Sequence, residues 1–259
     1  MVSRIRSFDF LPGRKVGRRY VIERSLGRGS EGEVYQIRDL ETGIPRAAKF
    51  YYPHRDPDRR VTVRHAQKLN TLRHCPIVLQ YHHSEVVTAQ RTSVVAMISE
   101  LAEGERLEEW IQAHPGGRLP PFMALHVLYT LVLGLESIHQ LGEYHSDVHT
   151  ENILIKPCGI GFDIKLIDFY DWGRPTRYKQ QQDITDTIRV FYDCLGGQRH
   201  YARQSDQIRY ICAGLQRKRL HQRFPTMTSL RRHLERFDWY TLHERRLAGS
   251  NHRRGARRK

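Results

Sequence analysis

Cysteine is scarce in this chain. The four present (Cys75, Cys158, Cys194 and Cys212) lie far apart, with no C-x-x-C pair. That spacing argues against a zinc ribbon or a disulfide framework and for a reducing compartment. Histidine is plentiful at fifteen, yet no H-E-x-x-H pattern occurs. His145 and His149 have the spacing of helical metal ligands, but the stretch around them reads as a loop. No apolar core follows the first residues, MVSRIRSFDFLPGRK, so they do not form a secretory signal. Long apolar runs are missing as well. The most apolar stretch, Met123 to Leu135, is interrupted by His126, Tyr129, Thr130 and Gly134. It is too short to cross a bilayer and suits a buried helix. These absences predict a soluble, cytoplasmic chain with no transmembrane segment.

Acid is in deficit. Asp and Glu total 28 against 43 Lys and Arg, a net charge of +15. Such an excess predicts anionic partners (nucleotide, nucleic acid, acidic protein or membrane surface) without choosing among them. Seven of the bases, and no acid, fall between Arg245 and Lys259. The tail 241–259 therefore reads either as solvated and disordered or as a contact for nucleic acid, acidic protein or anionic lipid. With 259 residues, 39% of them hydrophobic, the chain can build one large domain or two small lobes sharing a cleft.

Texture changes along the chain. Residues 1–19 are basic and punctuated by Gly and Pro, an irregular leader. From Tyr20 the order reads strand, glycine turn, strand, turn, strand, with Val34, Tyr35 and Ile37 as strand formers and Thr42-Gly43 at a hairpin tip. Residues 58–73 place Val61, Leu69 and Leu72 at helical spacing. Val86–Val87 and Val94–Ile98 suit further strands. After Glu100, Glu105–Ala113 and Pro121–Leu141 are helical, the second punctuated by Pro121 and Gly142. Short strands are expected at Ile153–Ile155 and Ile164–Ile167, and helices at Asp183–Leu195, Asp206–Leu215 and Thr226–Phe237. The chain is thus α+β: a β-rich lobe over 20–99, a hinge at 100–104 and a helical lobe over 105–240, without internal repeats.

Three stretches carry chemistry. LGRGSEGEVY holds Gly27, Gly29 and Gly32 as G-x-G-x-x-G. A dinucleotide fingerprint with that spelling opens a helix, whereas here strand-forming residues follow. A glycine turn between strands can lay its backbone N–H groups over phosphates, and Lys49 follows on the third expected strand. In YHSDVHTENILI, Asp147 precedes Asn152 by five positions and the Asn runs into an apolar triplet. In LIDFY, Leu166-Ile167 bring in Asp168. Two carboxylates and one amide make a hard-oxygen set suited to Mg2+.

In this order the motifs resemble the eukaryotic-type protein kinase superfamily, over residues 20–237. The resemblance implies a bilobal protein-kinase-like fold, β-rich N-lobe and α-helical C-lobe, that binds ATP and Mg2+. It implies that Gly27, Gly29 and Gly32 cover the phosphates and that Lys49 holds two of them. Leu26, Val34, Ala47 and Leu154 would sandwich adenine, with the hinge at Glu100, Leu101 and Ala102 reading its edge and Ser99 as gatekeeper. Asp147 would be the base, and Asn152 and Asp168 the metal ligands. His149 stands where protein kinases often have Lys and aminoglycoside-type kinases have His; it would either donate to the γ-phosphate or pack. The implied activity is a serine/threonine protein kinase with a protein acceptor. The alternatives are a small-molecule kinase for an anionic acceptor and a nucleotide-binding pseudokinase scaffold.

Departures from the family pattern are specific. His65 falls where the helix glutamate belongs, and no acid lies between Arg64 and Leu72, so Lys49 is expected to lean on Asp168 or on phosphates. Tyr170 replaces the glycine of D-F-G, and Ser146 replaces the arginine of H-R-D. Only 14 residues separate Asp168 from Asp183, which heads a stretch resembling the family's buried-Asp helix, and no A-P-E lies among them. Arg223 resembles the arginine that would pair with that missing glutamate. An open acceptor site with no activation by loop phosphorylation is expected.

Overall fold

The computed structural model describes residues 5–169 and 173–236. Tyr170 and the tail 241–259 lie outside the described residues, and so do the expectations placed on them.

Six strands form one antiparallel sheet: β1 (Lys15–Val16), β2 (Tyr20–Arg28), β3 (Gly32–Asp39), β4 (Pro45–Tyr51), β5 (Tyr81–Ala89) and β6 (Thr92–Glu100), ordered β1-β2-β3-β4-β6-β5. Alternation decides which side chains are covered. In β3, Tyr35 and Ile37 are buried between the less buried Gln36 and Arg38; in β4, Ala48 and Phe50 are fully buried and Lys49 takes the opposite face. The β2–β3 hairpin carries the glycine turn, closed by Gly29 N–H donating to Gly32 O at 2.9 Å. Gly32 is obligatory there, because a Cβ would stand 2.0 Å from the carbonyl oxygen of Phe50 on the neighbouring strand.

The leader is not a loose lead-in. Ile5, Phe8 and Phe10 are buried in the same cluster as Ile22, Ile37, Ala48, Phe50 and Tyr52. Phe10 meets Phe50 edge-on at 5.0 Å and Phe8 stacks on Tyr52 at 5.4 Å. Its backbone is anchored by Glu33, which is 1% exposed. That carboxylate accepts from Phe8 N–H and from the Tyr52 hydroxyl, each at 2.9 Å, as well as from the Tyr35 hydroxyl, and pairs with Arg28 Nε at 3.1 Å. Burial opposes ionisation of Glu33, but these donors outweigh it and hold its carboxyl below the usual range. The one hint in the sequence is the period-2 pair in S-F-D-F, which is too short to read as a strand.

Between β4 and β5 runs α1 (Arg60–Thr71), with Thr62, His65, Lys68 and Leu69 buried along one face. Asp56 satisfies its first turn, accepting from Val61 N–H at 2.9 Å and Thr62 N–H at 3.1 Å. Beyond the hinge, Glu105–Arg106 form β7 rather than the start of a helix, and α2 (Leu107–Ala113) follows. β7 pairs with β8 (Ile153–Cys158), which pairs with β9 (Gly161–Leu166). The central helix is α3 (Pro121–Gln140), entered at Pro121 and packed against α4 (Arg177–Cys194), β9 and the last helix. At 20 residues α3 is long and apolar enough to cross a membrane by length and composition, but ten of its residues are buried in this core. Gly134 is one of them, and a Cβ there would meet Ile77 Cδ1 at 2.3 Å.

α4 begins six residues ahead of the helix expected at Asp183, because Thr176 caps it by accepting from Lys179 N–H at 3.3 Å. Then come α5 (Gln198–Tyr201), α6 (Asp206–Cys212), α7 (Arg217–Arg223) and α8 (Met227–Glu235), with Thr226 and Ser229 making a capping box at the start of α8. α5 and α7, short and mostly polar, gave no readable period. The two halves meet where Leu166 N–H donates to Ile77 O at 2.7 Å.

Phe10→Ala is expected to destabilise the protein by about 3–5 kcal/mol, read as a lower urea midpoint. The neighbouring Leu11→Ala, at a position 75% exposed, should stay within about 0.5 kcal/mol of the parent. Equal effects would mean that the leader does not pack as described.

Candidate active site

A cleft of about 920 Å³ lies between the sheet and the helical half. Leu26, Gly27, Gly29, Gly32 and Val34 line it from the β2–β3 hairpin, and Ala47 and Lys49 from β4. Ser99, Glu100, Leu101 and Ala102 line its back, and Asp147, His149, Asn152, Leu154 and Asp168 its floor. The residues singled out by the motifs and by the family resemblance thus share one cavity. The Glu100 carboxylate is already committed, accepting from Lys165 Nζ at 2.7 Å and Gln80 N–H at 3.0 Å. The Glu100 main chain is engaged too, its N–H donating to Gln80 O at 2.9 Å and its carbonyl accepting from the Ser99 hydroxyl at 3.3 Å.

The floor is held by Asp183, whose side chain is fully buried. Its carboxylate accepts from His145 N–H at 2.8 Å, Ser146 N–H at 2.7 Å and His139 Nε2 at 2.9 Å. Ser146 is thereby kept at φ 76°, and Asp168 across the floor sits at φ 56°. Such left-handed conformations cost about 1–3 kcal/mol each off glycine and persist only where surroundings enforce them. His145 is fully buried between these strained residues; its Nε2 donates to Ile167 O at 3.2 Å and its Nδ1 accepts from Asp147 N–H at 3.2 Å. That arrangement requires a neutral ring. Burial agrees, pushing its pKa down to about 4.

Asn152 donates from Nδ2 to Asp147 O at 3.1 Å and to Asp147 Oδ2 at 3.0 Å. Its Oδ1 is the atom left for a cation. Asp168 gives Oδ1 to Lys49 Nζ at 2.9 Å, while its side chain stays 50% exposed. The Asn152 amide oxygen and the half-exposed Asp168 carboxylate, which share the floor of the cleft with Asp147, fit a hard divalent ion. His149 is half-exposed, its Nε2 3.6 Å from Asp147 Oδ2. It lines the cleft and is not a core packing residue.

Lys49 Nζ also reaches Glu31 Oε2 at 3.3 Å. Burial alone depresses this ammonium; nearby negative groups, chiefly Tyr51 when ionised, Asp168 and Glu31, more than reverse the effect and its pKa is raised. His65, in the glutamate's place, is buried and bonded through Nδ1 to the Tyr51 hydroxyl at 2.5 Å. Burial first, then the Lys49 charge, pushes its pKa down to about 3. Arg223 stacks 4.1 Å over Tyr210 and donates to the Tyr210 carbonyl.

Glu31 and the Lys68–Tyr144 contact were missed in the sequence. Lys68 Nζ lies 3.9 Å from the Tyr144 ring centroid, Lys179 Nζ approaches the same ring at 4.5 Å, and the Tyr144 hydroxyl donates to Gly173 O at 2.6 Å. No local pattern marks residues that meet only across elements.

A family profile described as Protein kinase domain matches residues 20–202. Serine/threonine-protein kinase PrkC of Bacillus subtilis is 31% identical over 163 residues, covering 61% of this chain and 24% of that protein. CBL-interacting protein kinase 22 of Oryza sativa subsp. japonica is 27% identical over 167 residues, covering 58% of this chain and 36% of that protein. The chain thus spans about a quarter to a third of the length of these curated relatives. A crystal structure of the PknI kinase domain of Mycobacterium tuberculosis, a double mutant, superposes with a TM-score of 0.63 at 18% identity, over 87% of this chain and 96% of that one. At that identity the likeness is one of fold.

Two outcomes follow for stability. Between pH 6.5 and about 4, His145 and His65 bind protons when unfolded but not when folded. Stability is therefore complete above pH 6.5 and falls as pH drops, by roughly 1.4 kcal/mol per pH unit for each ring, read as a falling Tm. Asp183→Ala leaves the buried His145 N–H and the partly buried Ser146 N–H without an acceptor and should cost about 3 kcal/mol or more in urea unfolding.

Proposed function

The chain belongs to the protein kinase domain family, and on that premise we propose that it transfers the γ-phosphoryl group of ATP to serine or threonine hydroxyls of a protein. The observation that carries this reading is the meeting of Lys49, Asp147, Asn152 and Asp168 around one cleft, drawn from both halves of the chain. Phosphoryl transfer asks little covalent chemistry of the protein; it asks for alignment, charge neutralisation and a proton acceptor. Asp147 is the acceptor for the hydroxyl proton. Its Oδ2 is oriented by the Asn152 amide at 3.0 Å, and its backbone by the loop that Asp183 holds. Lys49 takes the phosphates, and the N–H groups of the glycine turn cover them. Asn152 Oδ1 and Asp168 would hold magnesium, which neutralises charge on the phosphates when bound. The hinge main chain reads the adenine edge.

A second acceptor class is favoured by two observations. His149 lies half-exposed beside Asp147, and with only 14 residues between Asp168 and Asp183 there is little chain to form a peptide platform. Both features suit a small anionic acceptor. The four cysteines are free thiols, which supports a cytoplasmic setting, and we assign the basic tail to an anionic macromolecule.

The test is incubation with γ-labelled ATP and magnesium, with and without a cell extract. Label on protein should appear with the parent and fall by about a hundredfold or more in Asp147→Ala and Asp168→Asn. Label on a small metabolite alone would select the second acceptor class. Nucleotide-dependent thermal stabilisation with no transfer would leave a binding scaffold.

A further inference from the structure

We propose that Glu31, in the glycine turn, replaces the absent helix carboxylate and holds Lys49 in position for the phosphates. The inference rests on the phosphotransfer reading above and names a positioning residue for it.

Lys49 is a largely buried cation, its side chain 13% exposed, and such a group needs a partner with charge. α1 supplies none. It presents His65, a neutral ring already taken up by Tyr51, and the surrounding helix from Arg64 to Leu72 has no acid. Two carboxylates reach Nζ instead: Asp168 at 2.9 Å and Glu31 at 3.3 Å. They are not equivalent. Asp168 is half-exposed and belongs to the cation-binding set, so whatever it gives to a metal it withdraws from Lys49. Glu31 makes no other side-chain hydrogen bond among the described residues, and it is the carboxylate that remains.

Backbone geometry puts Glu31 there. Its carbonyl accepts from Tyr52 N–H at 2.9 Å, tying the turn to the end of β4, and the neighbouring Gly32 lies so close to β4 that it tolerates no Cβ. The turn that covers the phosphates is thereby connected by its own side chain to the lysine that binds them. The orientation of Lys49 then follows closure of the glycine turn, and displacement of α1 breaks no ion pair made by Lys49.

The experiment compares the parent with Glu31→Gln, Glu31→Asp and the double variant Glu31→Gln/His65→Glu, each checked by its nucleotide-free Tm. Trace acetylation of Lys49 by acetic anhydride across pH, read by mass spectrometry, reports the free-amine fraction without requiring turnover. Glu31→Gln leaves Nζ with one carboxylate fewer and should raise Lys49 acetylation at a given pH by about threefold or more. In the phosphorylation assay kcat should fall about tenfold, with KM for ATP changing less. Glu31→Asp should lie between, and the double variant, with the acid returned from α1, should recover both readouts. An unchanged acetylation profile in Glu31→Gln would overturn the proposal, as would a rise in kcat, which would make Glu31 a competitor of the phosphates. If the parent itself transfers no phosphate, the phosphotransfer reading fails, while the acetylation profile still decides whether Glu31 holds Lys49.

Discussion

The Asp183 carboxylate, fully buried and shared between two backbone N–H groups and an imidazole, is the interaction on which the rest of the site depends. It draws the loop at 145–147 onto α4 and so sets Asp147 at the floor of the cleft. A charge with no access to water is tolerable only when donors surround it. Here the donors are the backbone of the loop that must be held, so the charge and the loop are stabilised together. The left-handed turn at Ser146 and the neutral tautomer of His145 follow from the same placement.

Across the cleft the electrostatics are rearranged. A neutral histidine stands where a helix acid would pair with the strand lysine. Desolvation alone would favour loss of the Lys49 proton, yet the ammonium is retained because carboxylates approach from the glycine turn and from the end of β9. α1 is joined to the helical half by different means: the Lys68 ammonium lies over the Tyr144 ring and 3.7 Å from Glu143 Oε2. A cation over an aromatic face is worth about 2 kcal/mol when desolvated. This contact forms with no modification of either residue.

The chain between Asp168 and α4 is short, and the structure uses its length economically. Starting α4 at Arg177 brings Lys179 beside Tyr144, whose hydroxyl in turn holds the Gly173 carbonyl. Arg223, left without an acid of the family pattern, settles on a backbone carbonyl and the Tyr210 ring. Both are local repairs that leave the floor of the cleft undisturbed.

Much of this was legible in the sequence, and particular residues show why the rest was not. Glycine spacing, the strand at E-V-Y-Q-I, the five-residue interval from Asp147 to Asn152 and the Pro121–Gly142 punctuation are local features, governed by backbone preference and side-chain period. They made most of the order of elements and the kinase family legible, and the family resemblance added the residues of the cleft. The packing of Phe8 and Phe10 and the approach of Glu31 to Lys49 were decided only by tertiary structure. Glu31 and Lys49 are 18 residues apart on different elements, and charge pairing depends on distance in space, which no interval along a chain encodes. Glu31 is ordinary in the sequence and becomes the partner of Lys49 only because the turn that carries it folds down onto β4.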